Sequence, residues 1–235
     1  MLNSDWIALV ITFTISIIWL RINDYAAHKG WISNRLSRKI IHIGTGPLFV
    51  LCWLLFPNTQ ASRYIAALVP LAITLQFFLV GIGVIRDQSA VQAMSRTGDP
   101  REILRGPLYY GLVFIAVTVL FWYDTPIGII ALMLMCGGDG LAEILGRRYG
   151  KSHLPWNPRK TWIGSIGMFL GGLLLSIAIL AIFVAYGIFS IPIQVMLPSI
   201  LIIALVGAIV ETLPLQDIDN ITVTFSAVVL GYLLF

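Results

Sequence analysis

The chain has 235 residues, of which 58% are hydrophobic and only 11% are charged, with a formal net charge of +4 at pH 7. This composition predicts a polytopic membrane protein. The small excess of basic residues is explained by membrane topology and by contact with anionic lipid headgroups. The sequence contains no basic and aromatic module typical of nucleic-acid binding.

Apolar stretches of roughly 15 to 24 residues recur along the whole chain, near the length that spans hydrocarbon as a helix. They are continuously apolar rather than alternating, which favours helices over a β-barrel. We therefore predict an all-α fold with about eight transmembrane helices. The predicted spans lie at about residues 5–21, 42–56, 62–85, 107–122, 126–145, 162–186, 192–210 and 221–235.

The basic residues fall on one side of these spans. If the N-terminus lies outside, every Lys and Arg except Arg63 belongs to an inner loop or an inner helix end. The positive-inside rule then predicts an even number of spans with both termini outside. Only two acidic residues, Asp5 and Asp124, lie on the outer side, so we expect the chemistry at the cytoplasmic border.

No internal repeat and no low-complexity linker divides the sequence, so a single membrane domain over residues 1–235 is expected. The N-terminus lacks the basic region and cleavage site of a signal peptide, and it lacks the Arg- and Ser-rich character of a transit peptide. We expect a bacterial protein or a trimmed mature chain.

Carboxylates cluster at the inner ends of the spans, where an unpaired carboxylate is costly to desolvate. Asp139 and Glu143 share a helix face at i, i+4, where like charges repel without a cation. Mg²⁺ takes oxygen ligands together with substrate phosphates, so the cluster predicts a phosphate-handling site. A packing cluster of glycines with solvated acids is the alternative. The clustered acids are Asp139, Glu143, Glu211, Asp217 and Asp219.

Basic residues converge on the start of the sixth predicted span. Lys or Arg side chains and free helix N–H groups are suited to binding polyphosphates, although such residues alone also serve as topology signals. His42 begins the second span on the same face, with a hydrogen-bonded interfacial histidine as the alternative. Gly167 and Gly171 predict close helix packing rather than nucleotide binding. The basic residues around this start are Arg147, Arg148, Lys151, Arg159 and Lys160.

The chain has no Walker A sequence and no protein-kinase motif set, so any nucleotide chemistry must use a different membrane scaffold. Four motifs share one order: Arg38-Lys39 with His42, the GGDGLAEILGRRYG run, the RKTWIGS run, and Glu211 followed by Asp217, Asp219 and Asn220. Over about residues 35 to 225 they resemble the phytol and dolichol kinase family, which is related to CDP-diacylglycerol synthases.

The resemblance implies that the terminal phosphoryl group of CTP, or alternatively of UTP, is transferred to the primary hydroxyl of a prenyl alcohol. The short HIGTGPLFVL element and the compact size resemble the phytol branch, which recycles chlorophyll-derived phytol towards tocopherol. An integral protein of a bacterial plasma, thylakoid or plastid membrane is implied, with the site facing the cytoplasm or stroma.

The resemblance also implies roles for individual residues, with Mg²⁺ as cofactor. Catalytic roles are implied for Asp139, Lys160, Asp217 and Asp219, and which carboxylate accepts the hydroxyl proton stays open among Asp139, Asp217 and Asp219. The implied metal ligands are Asp139, Glu143, Glu211 and Asp217. The implied nucleotide ligands are Arg38, Lys39, His42, Arg147, Lys151, Arg159, Lys160 and Asn220.

Other functions stay open at this point. The acceptor is alternatively a polyprenol or dolichol, farnesol or geranylgeraniol. A cytidylyltransferase would keep CTP but release pyrophosphate, whereas a kinase releases CDP. A cation or lipid transporter is disfavoured, because its carboxylates would lie near mid-span and these lie at the border.

Overall fold

The computed structural model describes residues 1–95, 97–215 and 218–235, apart from the side chains at positions 34 and 93. A 3₁₀ helix over Pro100–Leu104 precedes α5, and a π-helical turn over Leu134–Gly138 joins α6 to α7. The α-helices among these residues are α1 (Asp5–His28), α2 (Asn34–Trp53), α3 (Gln60–Gly81), α4 (Gln88–Met94), α5 (Gly106–Phe121), α6 (Ile127–Met133), α7 (Asp139–Tyr149), α8 (Trp162–Ala185), α9 (Ile193–Glu211) and α10 (Asp219–Leu234).

The predicted all-α membrane fold is confirmed. Each predicted span corresponds to a helix, the fifth being the continuous segment Ile127–Tyr149 formed by α6, the π-helical turn and α7. Among the described residues, 6 helices are long and apolar enough to cross a membrane. The count of about eight also includes α2 and the shorter α10, so it is approximate. The chain is a polytopic helical membrane protein.

The helices extend beyond the apolar runs at several ends. The first runs to His28, well past the predicted end at 21, and α2 begins eight residues before the predicted start at 42. The hydroxyl of Ser33 accepts a hydrogen bond from the Leu36 backbone N–H at 3.3 Å and caps α2. A cap of this kind starts a helix before its apolar part begins, which hydropathy alone does not detect.

The described chain divides into two compact units, Met1–Val119 and Leu120–Phe235. The single domain expected over residues 1–235 stays a prediction. In the first unit α1 packs against α2 and α3. The polar connection after α3 contains α4 and the 3₁₀ helix, whose first turns are capped by Asp87 and Asp99.

In the second unit the central element is the segment Ile127–Tyr149. Every residue of α6 and of the π-helical turn is buried, and α8, α9 and α10 all pack against this segment. A π-helical turn adds one residue to a helical turn and is frequent at functional sites. Here it ends immediately before Asp139, so it sets the direction in which the first turn of α7 points.

Glycines allow α8 to approach α7 closely. A Cβ at Gly167 would lie 2.9 Å from the Leu141 carbonyl oxygen, and one at Gly138 would lie 3.0 Å from the Met168 carbonyl oxygen. Gly171 likewise faces the backbone of Gly137. The close helix packing predicted for Gly167 and Gly171 is therefore confirmed, and it brings the start of α8 beside α7.

A short antiparallel hairpin between α7 and α8 is the one described element that the all-α prediction did not contain. Its strands are β1 (His153–Leu154) and β2 (Asn157–Thr161). The hydroxyl of Thr161 accepts a hydrogen bond from the Gly164 N–H at 3.1 Å and caps α8. The hairpin thus leads directly into α8.

Candidate functional site

The hairpin has an irregular register that changes how β2 presents its side chains. Leu154 pairs with Asn157 and His153 pairs with Thr161, so the three residues of β2 between these pairs have no opposite residue in β1. Bulges of this kind redirect side chains out of the regular alternation. We call Pro158–Lys160 the bulge. Its last residue is Lys160, the strongest basic candidate of the sequence.

The Lys160 ammonium group binds carboxylates from two different helices. It donates a hydrogen bond to Glu211 Oε1 at the end of α9 and lies 3.2 Å from Asp219 Oδ2 at the start of α10. Asp139, at the start of α7, also acts electrostatically on this ammonium group. We call these four residues the Lys160 cluster. It joins three of the predicted carboxylates that lie far apart in sequence.

The Lys160 cluster has a buried floor and a partly open rim. The side chain of Glu211 is 2% exposed, whereas those of Lys160 and Asp219 are 25% and 27% exposed. A soluble ligand therefore reaches the ammonium group and Asp219 more readily than it reaches Glu211. Asp219 lies in the first turn of α10, where a carboxylate also interacts favourably with the helix dipole.

The environment of Lys160 stabilises its charged form. Burial by itself lowers the pKa of a lysine, but the carboxylates of Glu211 and Asp219, the hydrogen bond to Glu211 and the more distant Asp139 outweigh burial. The pKa of the Lys160 ammonium group is therefore raised above its ordinary value. Lys160 stays a cation at neutral pH, which is the form that binds a phosphate oxygen.

The second carboxylate oxygen of Glu211 has no hydrogen-bond partner among the described residues. Glu211 Oε2 is buried and accepts no hydrogen bond from the residues that the structure describes. Leaving a buried acceptor unsatisfied is costly, and an ion or ligand can satisfy it. Within the described part of the chain no group of three His, Cys, Asp or Glu residues is placed to hold a metal ion. Asp217, one of the predicted metal ligands, lies outside the described residues.

These observations bear on the predicted Mg²⁺. Mg²⁺ commonly takes only one or two protein carboxylates, with water and substrate phosphates as its other ligands. Glu211, with its unsatisfied oxygen, and the neighbouring Asp139 and Asp219 provide such carboxylates. The donor set therefore fits a Mg²⁺ ion that arrives with a nucleotide.

Glu143 forms an ion pair within α7. Its Oε1 lies 3.1 Å from Nε of Arg147, one helical turn further along α7. Glu143 and Arg147 thus contact each other, and the side chain of Arg147 is 52% exposed. The roles predicted for Glu143 as a metal ligand and for Arg147 as a nucleotide ligand stay predictions.

The remaining predicted residues of this unit lie around the hairpin and the start of α10. Lys151 precedes β1 and Arg159 lies in the bulge, and both are exposed. Asn220 follows Asp219 in the first turn of α10 and is half-buried. These positions leave the side chains accessible to a soluble ligand, and the nucleotide-binding role of each stays a prediction.

Three predicted nucleotide ligands belong to α2 of the first unit. The guanidinium group of Arg38 donates to the Ser95 carbonyl oxygen at 3.3 Å, and Lys39 is buried. The carbonyl oxygen of His42 accepts a hydrogen bond from the Tyr110 hydroxyl at 2.7 Å, and the two rings lie 4.6 Å apart. His42 thus has the packed surroundings of the alternative interpretation, and the nucleotide-binding role of all three stays a prediction.

The chain is similar to curated plant proteins over most of its length. It is 43% identical to the probable phytol kinase 1 of Oryza sativa subsp. japonica over 218 residues. This aligned region covers 92% of this chain and 69% of that protein. It is 40% identical over 206 residues to phytol kinase 1 of Arabidopsis thaliana, which covers 87% and 68%. The chain belongs to the phytol kinase family. The resemblance found in the motifs is confirmed.

The phytol kinase family also includes a relative named for another alcohol. The chain is 37% identical over 234 residues to the farnesol kinase of Arabidopsis thaliana, covering 99% of this chain and 76% of that protein. All three relatives are plant proteins named as chloroplastic, which does not support the predicted bacterial origin. No family model matches the chain. No solved structure matches it either.

Two residues of the hairpin that contribute to this site were not predicted from the sequence. The Asn157 side chain donates to the carbonyl oxygens of Thr212 and Leu213, at 3.0 and 3.3 Å. The indole N–H of Trp156 donates to Thr212 Oγ1 at 3.2 Å. No local pattern in the sequence predicted these contacts, because the partners lie more than fifty residues away in the chain.

Proposed function

We propose that this protein is a prenol kinase that transfers the γ-phosphoryl group of CTP to the primary hydroxyl of phytol, giving phytyl monophosphate and CDP. Membership in the phytol kinase family supports the reaction class. The observation that carries the proposal is the Lys160 cluster. Its ammonium group lies among three carboxylates, of which Glu211 and Asp219 lie at helix ends and Asp139 lies within the span Ile127–Tyr149.

The chemistry follows from the positions of these groups. Lys160 binds a terminal phosphate oxygen and offsets the charge that develops between the γ-phosphorus and the departing CDP. The prenol oxygen bonds to the γ-phosphorus while the bond from that phosphorus to the bridging oxygen breaks. A nearby carboxylate accepts the hydroxyl proton, with Asp139 and Asp219 as the described candidates and Asp217 as the third predicted from the sequence.

Carboxyl groups outnumber the single ammonium group in the Lys160 cluster, so an added cation is needed before a polyphosphate binds there. We propose Mg²⁺ for this role, held by Glu211 and Asp139 together with the nucleotide and water. Such an ion neutralises charge on the phosphates. Glu211 Oε2, which is buried without a hydrogen bond from any described residue, supports this assignment.

The surface of α8 supports binding of a prenyl tail. Trp162, Ile166, Leu170 and Leu174 follow one another at four-residue spacing and are 40% to 60% exposed. They form one apolar stripe of about 18 Å that begins two residues after Lys160. A prenyl tail dissolved in the bilayer packs on this stripe by van der Waals contact, without a polar contact and without leaving an apolar medium. The hydroxyl then lies at the helix end beside the cluster.

Farnesol is the second candidate acceptor, since a farnesol kinase is among the relatives. The chemistry at the hydroxyl is identical for both alcohols, so the tail alone discriminates between them. We propose phytol as the preferred acceptor and a plastid membrane as the location, on the strength of the relatives named phytol kinase and chloroplastic.

A donor panel tests the proposed function. Protein purified in detergent is incubated with phytol, Mg²⁺ and either CTP, UTP, ATP or GTP labelled at the γ-phosphate, and the lipid phase is extracted. We expect labelled phytyl phosphate with CTP, a weaker signal with UTP, and none after chelation of Mg²⁺. Equal labelling from ATP would contradict CTP dependence, and an unlabelled lipid phase with every donor and with farnesol would contradict the kinase.

A further inference from the structure

The bulge that carries Lys160 lies between two paired positions of the hairpin. Between the pairs Leu154 with Asn157 and His153 with Thr161, the bulge has no opposite residue in β1. Residues without an opposite residue have more conformational freedom than a regularly paired strand. The position of the Lys160 ammonium group therefore depends on what fixes the two ends of the bulge.

Both ends of the bulge are fixed by buried polar side chains. At the C-terminal end, Thr161 is 7% exposed and caps α8 through its hydroxyl. At the N-terminal end, Asn157 is 5% exposed and binds the two carbonyl oxygens that follow α9. Its own Oδ1 accepts the Arg159 backbone N–H at 3.3 Å, which orients the first part of the bulge.

The carbonyl groups that Asn157 binds belong to the end of the helix that carries Glu211. The last carbonyls of a helix have no partner within it, and a side-chain N–H satisfies them. Thr212 is the first residue after α9 and directly follows Glu211. Asn157 thus ties the strand that carries Lys160 to the residues next to the carboxylate that Lys160 binds. Trp156 adds a second donor on Thr212.

We propose that Asn157 is a positioning residue that holds the Lys160 ammonium group against Glu211 and Asp219 by fixing the bulge to the C-terminal end of α9. This inference rests on the proposed function for its catalytic consequence only. Asn157 contacts neither reacting atom in this account. It acts through Lys160, whose displacement by about 1 Å is enough to lower a rate ~10²-fold.

The position of Lys160 can be measured without any activity assay. Trace acetylation followed by mass spectrometry compares Lys160 with Lys151, an exposed lysine of the same hairpin region that serves as an internal standard. Two variants remove the donor of Asn157. Asn157→Ala truncates the side chain, and the isosteric Asn157→Asp places a carboxylate oxygen against the two carbonyl oxygens. In both variants we expect Lys160 to move away from its carboxylate partners. Its amine then becomes more accessible to the reagent than it is between Glu211 and Asp219.

We expect the Lys160-to-Lys151 labelling ratio to rise at least about fivefold in both variants, because the hydrogen bonds that fix the bulge are lost. In the kinase assay kcat/KM for CTP falls by about 100-fold while KM for phytol stays unchanged. The matched control is Ser199→Ala. Ser199 lies in the first half of α9, away from Glu211, and its hydroxyl donates a hydrogen bond to the Leu234 carbonyl oxygen, which the variant removes. It leaves the ratio and kcat/KM unchanged.

Two results would overturn the positioning role. One is an unchanged labelling ratio in both Asn157 variants, and the other is an equal rise in Ser199→Ala, which indicates general loosening of the protein. Failure of the proposed function has a different signature. In that case the wild-type protein makes no phytyl phosphate, while the labelling ratio still responds to Asn157 and not to Ser199.

Discussion

The Lys160→Met variant is expected to lose about 10³-fold in kcat/KM for phytyl phosphate formation, because it lacks the cation that offsets developing charge on the transferred phosphoryl group. It is also expected to be less stable. Glu211, with only 2% of its side chain exposed, is left without its ammonium partner. Breaking a buried pair of this kind costs about 3 kcal/mol in free energy of unfolding. Thermal unfolding in detergent and the kinase assay measure the two effects.

A double variant separates these two effects of Lys160. In Lys160→Met combined with Glu211→Gln, the buried group facing the methionine is neutral, so most of the lost stability returns. Activity does not return, since the phosphate-binding cation and a proposed Mg²⁺ ligand are both absent. Recovery of activity together with stability in the double variant would show that Lys160 has a structural role only and would remove it from the site.

The Asp139→Asn variant is expected to lose 100-fold or more in kcat, through loss of a carboxylate that binds Mg²⁺ or accepts the hydroxyl proton. Asp139 is half-buried at the start of α7 and acts electrostatically on Lys160. The amide has the same shape, so we expect the melting temperature to change by only a few degrees at most. Steady-state kinetics over a range of Mg²⁺ concentrations measures the effect on kcat and on the apparent affinity for the metal.

The matched control for Asp139 is Asp124→Asn. Asp124 is an exposed carboxylate of the same unit, between α5 and α6, and is not part of the Lys160 cluster. Its amide variant removes one negative charge and keeps wild-type kinetics. A full retention of kcat in Asp139→Asn, or an equal loss in Asp124→Asn, would remove Asp139 from the proposed chemistry.

Long apolar runs made most of the fold predictable. Within hydrocarbon a single segment satisfies its own backbone only as a helix, so each apolar run predicted a helix, and a helix lies at each run. The count of eight spans is approximate, since 6 of the described helices are long and apolar enough to cross a membrane. The boundaries were less predictable, because hydropathy does not register a polar first or last turn. At α2 the information was present in Ser33, a capping residue before an extension that carries basic side chains.

The members of the Lys160 cluster were predicted as site residues, whereas their pairing was not. Acidic residues at the helix ends stand out in so apolar a chain, which is why Asp139, Glu211 and Asp219 were found. Lys160 and Glu211 are 51 residues apart, and no local pattern encodes such a contact. The hairpin was not predicted because its strands, of 2 and 5 residues, are too short to give a periodic signal. Asn157 was missed with it.

The most direct test of the central claim follows both ends of CTP in one reaction. CTP labelled with different isotopes at the α- and γ-phosphates is incubated with wild-type protein, Mg²⁺ and phytol, and the lipid and aqueous phases are separated. The account predicts the γ-label in the lipid phase as phytyl phosphate and the α-label in the aqueous phase as CDP. The α-label in lipid, or neither label in lipid with any prenol tested, would contradict it.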